Sequence, residues 1–234
     1  MFETTRWSLV AAAGSEDTAA CRAALAALCE TYWYSLYAYV RRRGADADEA
    51  RDLTQGFLTS LLDRRHFENL RADHGRFRAF LLASFQNFLA KDHARRNAQK
   101  RGGDVAILSL SFEDAEGRYR FEPAEPATPE TLYERRWALT VIDRVLGRLR
   151  QEWESKKRAA EFDELKACLL GEAPSGGVAA IAQRLGLSET AVRVSVHRLK
   201  RKFQAHLKQE IAETVSDPAD VEDEIRYLIR ALDA

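Results

Sequence analysis

Cysteine is scarce. The chain of 234 residues has three, and none is spaced for chemistry. Cys21 and Cys29 lie on one predicted helix about 12 Å apart by helical rise, too far to bridge, and Cys168 stands alone. Without a CxxC pair all three read as small core residues rather than as a metal site. Histidine is equally thin: His66, His74, His93, His197 and His206 show no HExxH spacing, and there is neither a Gly-rich phosphate loop nor a nucleophile elbow. No catalytic residue, metal or cofactor is therefore expected. No apolar run is long enough to span a bilayer, and the N-terminus has no basic stretch leading into an apolar one. The expectation is a cytoplasmic protein with no membrane partner.

An excess of either charge is also missing, since 36 Lys and Arg balance 36 Asp and Glu. The balance hides segregation. Residues 189–208 carry six Lys/Arg against one acid, and 91–101 carry five against one. Between them, 102–134 has two Arg against eight acids, and 217–234 has two against six. Two basic patches separated by an acidic connector make a nucleic-acid footprint that the net charge conceals.

What is present is helical periodicity, almost throughout. The expected fold class is all-α: two small helical domains joined by an acidic, Pro-containing linker, the second a helix-turn-helix, plus a C-terminal helix. The boundaries fall at 1–101, 102–131, 132–208 and 209–234. Ala19 to Arg43 forms a long helix that turns aromatic through Tyr32, Trp33, Tyr34, Leu36, Tyr37 and Tyr39. Asp46 to Leu62 forms the next, with Ala50, Leu53, Phe57, Leu58 and Leu61 as its inward stripe and acids in its first turn, where the helix dipole favours them. Arg76 to Lys100 follows, with Phe77, Phe80, Leu81, Phe85, Phe88 and Leu89 inward.

Gly102 and Gly103 break that helix, and Pro123, Pro126 and Pro129 among acids make 104–131 an extended linker. Within it, Ile107 to Phe112 reads as a short strand or a docked segment. Helices over Glu130 to about Gln151 and Ala160 to Leu170 come next. In the tail, Asp217-Pro218 suits an N-cap and first position, and Val221, Ile225, Leu228, Ile229 and Leu232 form an apolar stripe. Such a tail either closes the second domain or engages another surface, such as the basic helix described next.

Val178, Ile181, Ala182 and Leu185 recur at helical spacing until Gly186, which can take the positive φ of a sharp turn, and Ser188 is placed to cap the following helix. There Val192, Val196, Leu199 and Phe203 make one inward stripe, leaving Arg193, Ser195, His197, Arg198, Lys200, Arg201 and Lys202 outside. A helix of this kind fits the DNA major groove, its first turns on base edges and its later cations on phosphates. The plainer alternative is a helical hairpin with a solvated basic face.

Three segments resemble a bacterial sigma factor of the extracytoplasmic-function group. Asp48-Glu49-Ala50-Arg51-Asp52-Leu53-Thr54-Gln55-Gly56-Phe57-Leu58 is similar to the segment that docks on the coiled coil of the RNA polymerase β′ subunit. Phe77-Arg78-Ala79-Phe80-Leu81-Leu82-Ala83, continuing through Asn87, Lys91, Asp92, Arg95 and Arg96, looks like the helix that melts and captures the minus-ten element. Ser188-Glu189-Thr190-Ala191-Val192-Arg193 through His197-Arg198-Leu199-Lys200 is similar to the helix that reads the minus-thirty-five element. They occur in the family's order and span most of residues 20–208.

The resemblance implies core RNA polymerase, through its β′ and β subunits, and promoter DNA as partners. It implies polymerase contact by Asp48, Glu49, Asp52, Thr54 and Gln55. It implies DNA contact by Phe77, Arg78, Asn87, Lys91, Arg95 and Arg96 in the first domain, and by Ser188, Arg193, Ser195, His197, Arg198, Lys200 and Arg201 in the second. Phe77 and Phe80 equally suit plain core positions. The linker reads either as a nucleic-acid mimic in the polymerase cleft or as a tether. One departure stands out: Arg51 precedes Asp52 and Gly56 follows Gln55, so the docking segment carries less negative charge than is usual. Its Leu-Thr-Gln variant, the N-terminal Thr5-Arg6-Trp7-Ser8-Leu9-Val10 and the C-terminal extension resemble a subgroup in which a threonine here is linked to a Ser/Thr kinase. Phosphate on Thr54 would supply the missing charge, whereas an unmodified helix-surface hydroxyl would do nothing. The competing function is an autonomous helix-turn-helix regulator that binds an operator as a dimer.

Overall fold

Every regular element among the described residues is helical. The computed structural model describes residues 6, 7, 10, 19–62, 75–96, 115–120, 127–169 and 177–233, and of 94–96 the backbone alone. Among the described residues there is no strand, only an isolated antiparallel bridge between Arg76 and Val215. The chain divides into two units, Met1–Thr140 with Ile211–Ala234, and Val141–Glu210.

The first unit is built around α1 (Ala19–Arg42). From Thr31 to Val40 every side chain but Trp33 is buried, and a helix apolar on all sides must be enclosed on all sides. Cys21 and Cys29 are free and buried here, and burial pushes the Cys29 thiol up to about 12. α2 (Ala47–Leu62) begins where the Asp46 carboxylate accepts the Glu49 N–H at 2.8 Å, capping an orphan donor. α3 (Phe77–Arg96) adds Phe77, Leu81 and Phe85 to the core, with Phe85 4.8 Å from Phe57 of α2 between ring centres.

Two parts of the sequence reading change. The segment 102–131 is not extended throughout, because α4 (Ala115–Arg120) docks on α1. Glu116 accepts hydrogen bonds from Arg41 at 2.9 and 3.1 Å and from the Tyr37 hydroxyl at 2.8 Å, while Arg118 lies 3.9 Å over the Tyr34 ring. Burial, then the bond to Glu116, pushes the Tyr37 phenol up to about 12. The expected strand or docked segment Ile107 to Phe112 lies outside the described residues. α5 (Pro129–Ser155) opens at the third linker proline, with the Thr128 hydroxyl accepting the Thr131 N–H at 3.1 Å. Its residues to Thr140 belong to the first unit and the remainder to the second.

The second change concerns the tail. Residues 209–234 form no separate extension, and those from Ile211 onward belong to the first unit. The Phe77 N–H donates to the Thr214 carbonyl at 2.9 Å, the Trp7 N–H to the Glu213 carbonyl at 3.0 Å, and the Trp7 indole to the Gly75 carbonyl at 2.8 Å. A 3-10 turn, Pro218–Asp220, capped by Asp217, then leads into α9 (Val221–Asp233). The inward face of α9 is Val221, Glu224, Leu228 and Ala231, whereas Ile229, expected inside, is 52% exposed.

The second unit takes its core from Val141, Val145, Leu149 and Trp153 of α5, Phe162 and Leu165 of α6 (Ala159–Leu165), Ile181 and Ala182 of α7 (Gly177–Leu185), and Val192, Leu199 and Leu207 of α8 (Glu189–Ala212). A 3-10 turn, Lys166–Leu169, follows α6 and contains the half-buried free Cys168.

Candidate nucleic-acid interface

α7 ends in a full C-terminal cap. Gly186 sits at φ +64°, its N–H donates to the Gln183 carbonyl at 3.3 Å, and the Leu187 N–H donates to the Ala182 carbonyl at 2.9 Å. Ser188 then caps α8, its hydroxyl accepting the Ala191 N–H at 3.2 Å and its carbonyl accepting the Val192 N–H at 3.0 Å. The Ser188 side chain is therefore engaged within the protein, and what the turn does is aim α8.

α8 has two unlike sides. Val192 and Leu199 are fully buried and Val196 and Phe203 half-buried, as the periodicity predicts. Arg193, His197, Arg198, Lys200 and Arg201 are all exposed. At 100° per residue, Arg193, His197 and Lys200 share one column along the helix, and Arg201 and Arg198 stand to its side. Arg193 is 3.4 Å from Glu189, one turn before it. No carboxylate among the described residues pairs with Arg198, Lys200 or Arg201. Ser195 is half-buried on the shoulder of the helix. Lys202 leaves the cationic column, because it pairs with Glu152 of α5, whose other oxygen lies 2.6 Å from His206 Nε2. The hydrogen bond from Lys202 holds the Glu152 carboxyl below its ordinary value.

In α3 the expected residues part company. Asn87 and Lys91 are exposed, one turn apart. The side chains of Arg95 and Arg96 lie outside the described residues. Phe77 and Arg78 are inside. Phe77 is fully buried, 5.1 Å from Trp7 and 5.0 Å from Tyr32 between ring centres, so it is core rather than a base-stacking platform here. Arg78 is 7% exposed: its Nε donates to Glu224 Oε1 at 2.6 Å, and its guanidinium lies 3.6 Å over the Tyr227 ring. Burial works against that charge, but the bond and ion pair with Glu224 outweigh it and hold the guanidinium above its ordinary value. Arg76 Nε reaches the same carboxylate at 3.0 Å. Arg78 is thus an internal anchor for α9, not a free phosphate contact.

On α2, Asp48 and Asp52 are exposed and Gln55 and Glu49 half-exposed, so positions 48, 52 and 55 make one outward stripe. Arg51 lies 3.3 Å from Asp48 and dilutes that stripe. Thr54 does not belong to it. It is fully buried, and its hydroxyl has no partner among the described residues. Four residues after Ala50 and three before Phe57, it shares their inward stripe, and a kinase has no access to it while α2 stays packed.

Two features escaped the sequence. Glu224 sits at an apolar-phase position of α9, between Val221 and Leu228, and an acid in phase with a buried stripe is the one signal that could have exposed it. A groove of about 690 Å³ runs between Arg43, Glu49, Gln86, Asp92 and His93, with Val40, Leu53 and Leu89 lining it. Nothing local in the sequence announces it, because its residues come from three helices. Among the described residues, no helix is long and apolar enough to cross a membrane, and no three or more His, Cys, Asp or Glu side chains are grouped to hold a metal ion. Compared with protein-family models, curated proteins and solved structures, the chain matches none.

Proposed function

We propose that this chain is an initiation subunit of bacterial RNA polymerase, of the extracytoplasmic-function sigma type, working in the cytoplasm. The observation that carries the reading is the cationic column of α8, exposed along its length on a helix whose other side is core. In this role α8 enters the major groove of the upstream promoter element, with Arg193 and His197 nearest the bases and Lys200 and Arg201 on phosphates. The outward stripe of Asp48, Asp52 and Gln55 supports a second partner, the β′ coiled coil, which a lone operator-binding protein does not need. Asn87 and Lys91, both exposed on α3, are available to promoter DNA. Kinase control at Thr54 forms no part of this proposal, given its burial.

Run-off transcription with core polymerase, genomic DNA fragments and this protein tests it. Discrete transcripts should need all three components. Asp52→Lys, a charge reversal on an exposed position, should remove them while leaving helical content unchanged. A duplex footprint made by the protein alone, with no transcripts in any mixture, would instead identify an autonomous regulator.

A further inference from the structure

Among the described residues only three large apolar side chains are well exposed: Leu187 at 39%, Val194 at 44% and Ile229 at 52%. Val194 is the one on α8, and its company is unusual. Its neighbours along the helix surface are His197 and Arg198 three and four residues on and Arg201 seven on, all exposed, with Thr190 and Ala191 one turn before it. A β-branched residue is a weaker helix former than alanine or leucine, and at an exposed position it recovers less by burial than in a core. Val192 and Val196 have burial to justify them, completely and in part. Val194, by contrast, keeps 44% of its surface open among the described residues.

An apolar group with the guanidiniums of Arg198 and Arg201 along its C-terminal flank suits a partner that is anionic beside an apolar spot. The major groove of DNA has that make-up: phosphates flank it, and the thymine C5-methyl is the apolar group on its floor. Val194 is the sixth residue of α8, within the first turns that a groove-bound helix turns toward base edges.

We propose that Val194 is a specificity determinant, packing its isopropyl group on the C5-methyl of one thymine while Arg198 and Arg201 take the flanking phosphates. This rests on the DNA-binding reading above. The test uses the full chain with core polymerase. Duplexes selected from a random pool are remade with deoxyuridine replacing each thymidine in turn, which deletes one methyl and keeps the pairing. One such replacement should weaken binding by the wild-type protein roughly fourfold, about the worth of one buried methylene. Val194→Ala should weaken the thymidine duplex by the same factor and be indifferent to that replacement. Losses that multiply instead, or no deoxyuridine effect at any position, overturn the assignment while leaving DNA binding intact. Selection of no sequence at all overturns both. Alanine is the better helix former, so the variant keeps α8.

Discussion

A hydroxyl buried without a partner is a local instability, and among the described residues Thr54 places one in the core stripe of α2. Replacing it by an apolar isostere removes the unmet hydrogen bond without leaving a cavity, so Thr54→Val should stabilise the protein by roughly 1 kcal/mol. Thr54→Asp should do the opposite, losing roughly 3 kcal/mol or more, because the new carboxylate would be buried. Denaturant midpoints of the two variants decide between a core residue and a surface switch. If Thr54→Asp is as stable as the parent and binds polymerase more tightly, the burial argument fails. The position was legible in principle. Its spacing from Ala50 and Phe57 is that of the inward stripe, although it also lies within the Leu-Thr-Gln motif.

At the scale of the element, α8 is held against α5 by a carboxylate shared between two basic side chains, Lys202 and His206. Glu152 has its pKa lowered, chiefly by the Lys202 bond, from an ordinary value of 4.5. A depressed carboxylate contributes stability above its unfolded value and loses it as pH falls through the folded one. Acidifying from about pH 5 to 3 should therefore destabilise the parent more than Glu152→Gln, a difference that urea titrations at a series of pH values would measure. Equal slopes would show the cluster to be ornamental. Most elements were readable beforehand because their signals are local: Asp46, Gly186, Ser188 and Asp217 all cap where their chemistry suggests. α4 was not readable. Six residues are too few to show a period, and what holds α4 is Glu116 meeting Arg41 and Tyr37 on a helix 75 and 79 positions earlier.

Across the whole molecule, charge blocks could be read from the sequence because each is contiguous, but the allegiance of the tail could not. What draws α9 to the first unit is the pairing of Glu224 with Arg78, 146 positions away, an interaction no periodicity encodes. The same pairing decides what the tail does. Deleting 217–234 would take from Arg78 its nearer carboxylate and the Tyr227 ring, leaving it only Glu134 at 3.4 Å, and would strip the inward face of Val221 and Leu228 from the core. Removing one partner of a buried pair costs about 3–5 kcal/mol, a large share of the 5–15 kcal/mol by which domains are stable. The deletion should thus lose more helix by circular dichroism than α9 itself contains, and speed hydrogen exchange at the α3 amides. Glu224→Ala should reproduce most of that loss. Glu224→Leu combined with Arg78→Met should recover much of it, since both buried charges then go and apolar volume remains. A truncated protein that kept α3 protected and transcribed more strongly would mark α9 as a detachable cover rather than a wall of the first unit.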